Sequence, residues 1–185
     1  MAAAHRLSGQ TAAEENIMIT AVACRNLAGE PQTEFDFGEP FKIVIEFQTA
    51  GEIMNPYFVI HFTKGGFAST PFSTISMIAD GTQLGAVHGS GAISCVVKNP
   101  CMTPGEYGIV VGAQKSLTLL LGQKWYATPR LHARLDIKND KFLEQFPAVP
   151  AFQLGNLAPV AFNYEWHLQR AALPQTRGGN AKACE

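Results

Sequence analysis

Charged side chains are scarce in this sequence. They make up 16% of its 185 residues, against 46% apolar, and they nearly cancel, leaving a net charge of −1. Without a basic excess there is no electrostatic footprint for a polyanion, so nucleic acid is not an expected partner. No apolar stretch approaches the ~20 residues that cross a bilayer. The N-terminal residues carry no apolar signal core, which makes the cytosol the expected compartment. Cysteine is sparse as well. Cys24, Cys95, Cys101 and Cys184 form no C-x-x-C pair, and their spacing suits neither zinc nor a secreted disulfide framework. Cys24 and Cys95 lie in strand-like runs and read as small buried hydrophobes.

The signatures of common catalytic sites are missing too. There is no G-x-x-x-x-G-K-[ST] phosphate loop, no G-x-S-x-G elbow and no H-E-x-x-H. The five histidines, at 5, 61, 88, 132 and 167, include no His-x-His. His61, His132 and His167 would hold a metal only if three separate strands brought them together. Glu46 and Glu106 would suit glycoside hydrolysis only if they flanked one groove; solvated surface carboxylates are the plainer reading. The expectation is a non-enzymatic chain with no metal and no cofactor.

What the chain does have is a two-residue period. Phe41, Ile43, Ile45 and Phe47 alternate with Lys42, Val44, Glu46 and Gln48, and after a polar turn at Asn55-Pro56 the residues Phe58, Ile60 and Phe62 alternate with Tyr57, Val59, His61 and Thr63. Alternation of this kind gives a strand with one buried face. The two runs read as a hairpin that needs a second sheet to cover it. Further strands are expected at 17–26 (Ile17, Ile19, Ala21 and Ala23 inward), 92–98 (Ile93, Cys95, Val97), 106–114 (Tyr107, Ile109, Val111, Ala113), 130–139 (Leu131, Ala133, Leu135, Ile137) and 159–168 (Val160, Phe162, Tyr164, Trp166). Less regular pieces fall at 67–78 and 115–126, and a helical turn is expected around 141–145. Pro104-Gly105-Glu106-Tyr107 suggests a tyrosine corner, and Trp166 reads as core or interface. About eight to ten strands with frequent turns indicate an all-β chain, an antiparallel β-sandwich of Ig-like or jelly-roll type. Residues 1–15 read as a leader, 16–169 as the domain and 170–185 as a disordered tail.

The polar parity of the strands offers candidate contacts. Tyr57, His61, Gln114, His132 and Arg134, beside Glu46 and Gln48, would line a face dished by the small residues Gly108 and Gly112, with Trp125 and Tyr126 as loop platforms. Aromatic faces suit the C–H side of a sugar; amides and guanidinium suit its hydroxyls.

The order of several short motifs carries a resemblance. I-M-I-T-A-V-A-C-R-N, F-D-F-G-E-P-F-K-I-V-I-E-F, N-P-Y-F-V-I-H-F, M-T-P-G-E-Y-G-I-V-V-G and L-A-P-V-A-F-N-Y-E-W-H-L follow one another across residues 16–169. The sequence resembles the C-terminal domain of Wzt proteins, the nucleotide-binding subunits of ABC transporters that export O-antigen polysaccharide. The resemblance implies a β-sandwich that binds the polysaccharide, often at its modified non-reducing end, in the cytosol at the inner membrane. It implies as partners the transporter's membrane subunit and ATPase domain, and a homodimer that exchanges the C-terminal strand. The rival expectation is a sandwich that binds another protein through the same face or that strand.

Overall fold

The computed structural model describes residues 16–64, 71, 73–100, 102–116, 124–138, 140–145 and 164–170. The chain is an all-β sandwich. One sheet has four strands in the order β1 (Ile17–Arg25), β3 (Phe41–Thr49), β8 (Ser90–Val97) and β11 (Tyr164–Arg170). The facing sheet has five, in the order β2 (Glu34–Phe35), β10 (Lys124–Ile137), β9 (Gly105–Ser116), β5 (Tyr57–Lys64) and β6 (Ser73–Ser76). A two-stranded ribbon of β4 (Ile53–Met54) and β7 (Ala86–Val87) sits beside them. Pairing is antiparallel except for the short parallel match of β2 with β10. The expected helical turn is α1 (Asp140–Gln145). The expected strand positions at 117–121 and 159–163, and both proposed terminal segments save residue 170, lie outside the described residues.

Alternation locates the buried faces correctly but misassigns one pairing. β3 and β5 do not form a hairpin; they belong to opposite sheets. β3 instead lies between β1 and β8, and β5 between β9 and β6. The physical reason is cover. As hairpin neighbours the two strands would present both apolar faces on one side of a single sheet. In opposite sheets each face covers the other: Phe41, Ile43, Ile45, Phe58, Ile60 and Phe62 are all fully buried. The rings of Phe47 and Phe58 meet at 5.1 Å between centroids. Each such side chain contributes about 1.5–3 kcal/mol by leaving water. The connection between the sheets is held rather than loose. Asn55 takes a left-handed φ of 45°, its backbone N–H donates to the Gly85 carbonyl, and its side-chain oxygen accepts from the Gly85 N–H at 2.8 Å.

Two strands shift parity. In β1 the register slips between Ile19 and Ala21, so Val22 and Cys24 turn toward the core and Ala21 and Ala23 do not continue the inward row. In β10 the register slips four times, the last between Leu131 and Ala133. Leu131 therefore lies opposite Val110, on the outer side of its sheet, instead of pointing inward; Ala133, Leu135 and Ile137 follow the expected row. Such extra residues re-aim side chains without ending a strand. Cys24 and Cys95 are buried and free; burial pushes the Cys24 thiol up to about 12 and raises Cys95 further.

Two polar clamps tie loops to strands. The Tyr107 hydroxyl donates to the Thr103 carbonyl at 2.5 Å, which is the tyrosine corner, and the Thr103 hydroxyl also accepts from Lys64 at 2.7 Å. At the other end, Asp80 accepts from the Tyr164 hydroxyl at 2.5 Å and from the Trp166 indole N–H at 3.1 Å. Asp80 thus fastens β11 to the turn after β6, and Trp166 is half-buried against the core. Replacing Tyr107 with Phe removes the corner bond while keeping the ring. Urea unfolding should show a loss of about 1–2 kcal/mol; an unchanged midpoint would mean the corner bond contributes nothing.

Candidate functional site

The outer face of the five-stranded sheet gathers several of the expected contacts. Tyr57, Gln114 and Trp125 lie in one cross-strand row on β5, β9 and β10. His61 sits two rows away, opposite Val110, and its Nδ1 is 2.8 Å from the Thr74 hydroxyl of β6. Between them the face is not an open dish. A Cβ on Gly112 would lie 2.9 Å from Pro129 Cγ and 3.0 Å from Trp125 Cζ3, and one on Gly108 would lie 2.6 Å from the Thr63 hydroxyl and 3.0 Å from Leu131 Cδ1. The glycines are small because β10 lays Trp125, Pro129 and Leu131 across them. Val59, Thr63, Val110 and Gln114 are all buried on this outward parity. Among the described residues, the buried Thr63 hydroxyl finds no hydrogen-bond partner.

The remaining expected contacts go elsewhere. Trp125 and Tyr126 are strand residues, not loop platforms. Neighbours on a strand point to opposite sides, so Tyr126 instead packs against the core, with Lys115 Nζ 4.9 Å from its ring centroid. His132 occupies the last slip of β10 and lines a small cavity of about 60 Å³ with Ile17, Met18 and Ile19 of β1. It does not join His61. Arg134 is exposed and bound to Glu106 at 2.8 Å, at the far end of the face from Tyr57. Glu46 and Glu106 lie on opposite sheets, so they cannot flank one groove. His61, His132 and His167 are likewise dispersed, on β5, β10 and β11.

A more open concavity lies on the outer face of the four-stranded sheet. It is a groove of about 360 Å³ bounded by Thr20, Glu46, Gln48, Ser90, Ala92 and Gln169, with Phe47 and Gly91 in its floor. The volume is at the lower end of small-molecule sites. Register explains the grouping: Glu46, Ala92 and Gln169 form one row across β3, β8 and β11, and Gln48 and Ser90 form the next. Gly91 must be glycine because Phe47 crosses beneath it; a Cβ there would meet the ring at 2.7 Å. The lining offers a carboxylate, two carboxamides and two hydroxyls over a floor of small residues. Glu46 and Gln48 are legible as polar-parity residues. Thr20 and Gln169 join them through the β1 slip and the placement of β11, and Ser90 through the β3–β8 pairing, none of which a local period reports.

Fold and groove together define an all-β sandwich with a polar, sheet-face concavity. No family model matches the sequence, and no curated protein matches it significantly. Among solved structures the fold is similar to one described as the crystal structure of the C-terminal domain of wzt. The TM-score is 0.53 and the identity 7%, over 69% of this chain and 76% of that one. At this identity the likeness is one of fold. No helix among the described residues is long and apolar enough to cross a membrane.

Two predictions follow from the geometry of the five-stranded sheet. Gly112→Ala should displace Trp125 and Pro129, cost about 1–3 kcal/mol by overpacking, and shift the tryptophan emission in a Trp166→Phe background; an unchanged spectrum would show that Trp125 does not cover Gly112. Burial lowers His61 below its ordinary 6.5, and burial together with the Arg130 charge lowers His132, against a raising hydrogen bond to the Val111 backbone. The unfolded chain therefore binds more protons than the folded one just below pH 6.5. Stability present above that value is lost as pH falls toward the lowered folded values. Urea midpoints at pH 7.5 and 5.5 should differ less in a His61→Gln/His132→Gln variant than in the parent chain; an equal difference would exclude these two groups as its source.

Proposed function

We propose that this chain is a non-catalytic polysaccharide-binding module that selects O-antigen for ABC-transporter export. Residues 16–169 would be the binding unit. It would act in the cytosol at the inner membrane, beside the membrane subunit and ATPase domain, as a homodimer exchanging its C-terminal strand. The observation that carries this reading is the groove on β3, β8 and β11. Carboxamides, hydroxyls and a carboxylate on a sheet face match the donors and acceptors of sugar hydroxyls, and the groove is open to the surface. The sandwich's likeness to the wzt domain and the order of sequence motifs point the same way. Among the described residues, Glu46 is the one carboxylate that lines the groove.

The test is calorimetric titration with the delipidated O-polysaccharide of the source organism, beside an unrelated O-polysaccharide. The expected outcome is saturable binding of the first alone, unaffected by chelator, with polymer length unchanged on gel filtration. Binding of neither would remove the reading, and shortening of the polymer would replace it with an enzymatic one.

A further inference from the structure

The charge pattern of the groove on the four-stranded sheet goes further than the shape. Among its lining residues Glu46 is the single ionised group, and among the described residues it makes no hydrogen bond or ion pair. Among the described residues, the basic side chains on the same face are engaged or remote. Lys98 is bound to Glu165. Lys42 is four residues along β3 from Glu46, roughly 13 Å at strand rise. His167 stands one row beyond Gln169 on the same parity, with its Nε2 3.7 Å from Glu165. Among the described residues, a bound unit at Glu46 therefore meets one negative charge and neutral donors and acceptors, with no cation beside it to match a phosphate or carboxylate.

We propose that the groove takes an uncharged, hydroxyl-rich sugar unit and rejects an acidic one, with Glu46 as the selecting residue. The inference rests on the polysaccharide-binding reading and names the ligand class of that site. Two oxygens of one carboxylate accept from neighbouring sugar hydroxyls. The same charge repels a uronate or phosphate, and discrimination follows from that repulsion. Gln48 and Gln169, on either side, supply donors and acceptors that fix orientation without adding charge.

The experiment titrates the full chain with two probes made from one polymer: the delipidated O-polysaccharide of the source organism, and the same material with its primary hydroxyls oxidised to carboxylates. The parent chain should bind the native polymer at least tenfold more tightly than the oxidised one. Glu46→Ala should weaken native binding about tenfold or more. Glu46→Gln, which keeps an accepting oxygen and loses the charge, should retain most native binding and narrow the preference to about threefold or less. A structural role for Glu46 would not change that ratio. Tighter binding of the oxidised polymer, or native binding and preference unchanged in both variants, would overturn the assignment while leaving polysaccharide binding intact. Failure of both polymers to bind the parent chain would overturn the assignment and the polysaccharide-binding reading together.

Discussion

The contact of β3 with β5 across the core is the constraint on which the rest of the molecule depends. Phe41, Ile43, Ile45 and Phe47 from one strand and Phe58, Ile60 and Phe62 from the other belong to one buried core, where the rings of Phe47 and Phe58 meet. Because the strands cover each other, they cannot share a sheet. The chain between them must cross the thickness of the sandwich, and the Asn55–Gly85 hydrogen bonds and the β4–β7 ribbon hold that crossing in place. The outward parities of the two strands then face opposite directions. Glu46 and Gln48 look out on one side, Tyr57 and His61 on the other.

This sidedness gives the two outer surfaces different characters. The five-stranded sheet is capped by its own irregular strand: β10 folds Trp125, Pro129 and Leu131 over Gly112 and Gly108. Its polar groups end up separated, with Gln114 buried, His61 tied to Thr74 and Arg134 neutralised by Glu106. The four-stranded sheet stays open where the rows of Glu46 and Gln48 meet Ser90 and Gln169. The depth of that opening comes from Ala92, whose small side chain leaves room between longer neighbours. β11, held by Asp80 through Tyr164 and Trp166, forms one wall. Anchoring of that strand is therefore a condition of the groove as well as of the fold.

Much of the fold was legible in the sequence because burial on a strand is a local, two-residue property. The inward rows of β3, β5, β8 and β9 follow from it, and the Tyr107 corner from the Pro104-Gly105 turn before it. Partner choice is not local. The run from Phe41 to Phe62 has the same alternation whether its halves pair edge to edge or pack face to face, and only the competition for cover decides. Strand slips are equally hidden: one extra residue at Thr20 or His132 reverses the parity beyond it with no mark in the pattern. The candidate site suffered most from this. Glu46 and Gln48 share a polar parity with Tyr57 and His61 in the sequence, yet the fold sets them on opposite faces, and Gly112, small enough for the floor of a dish, is the seat of Trp125.

Nuclear Overhauser contacts in an isotope-labelled sample test the face-to-face arrangement most directly. The account predicts ring-to-ring contacts between Phe47 and Phe58 and backbone contacts of Glu46 with Ala92, the β3–β8 pairing that builds the groove. Backbone contacts linking β3 directly to β5 would mean that the two strands form a hairpin after all. The opposed outer faces, and the groove on one of them, would then be wrong.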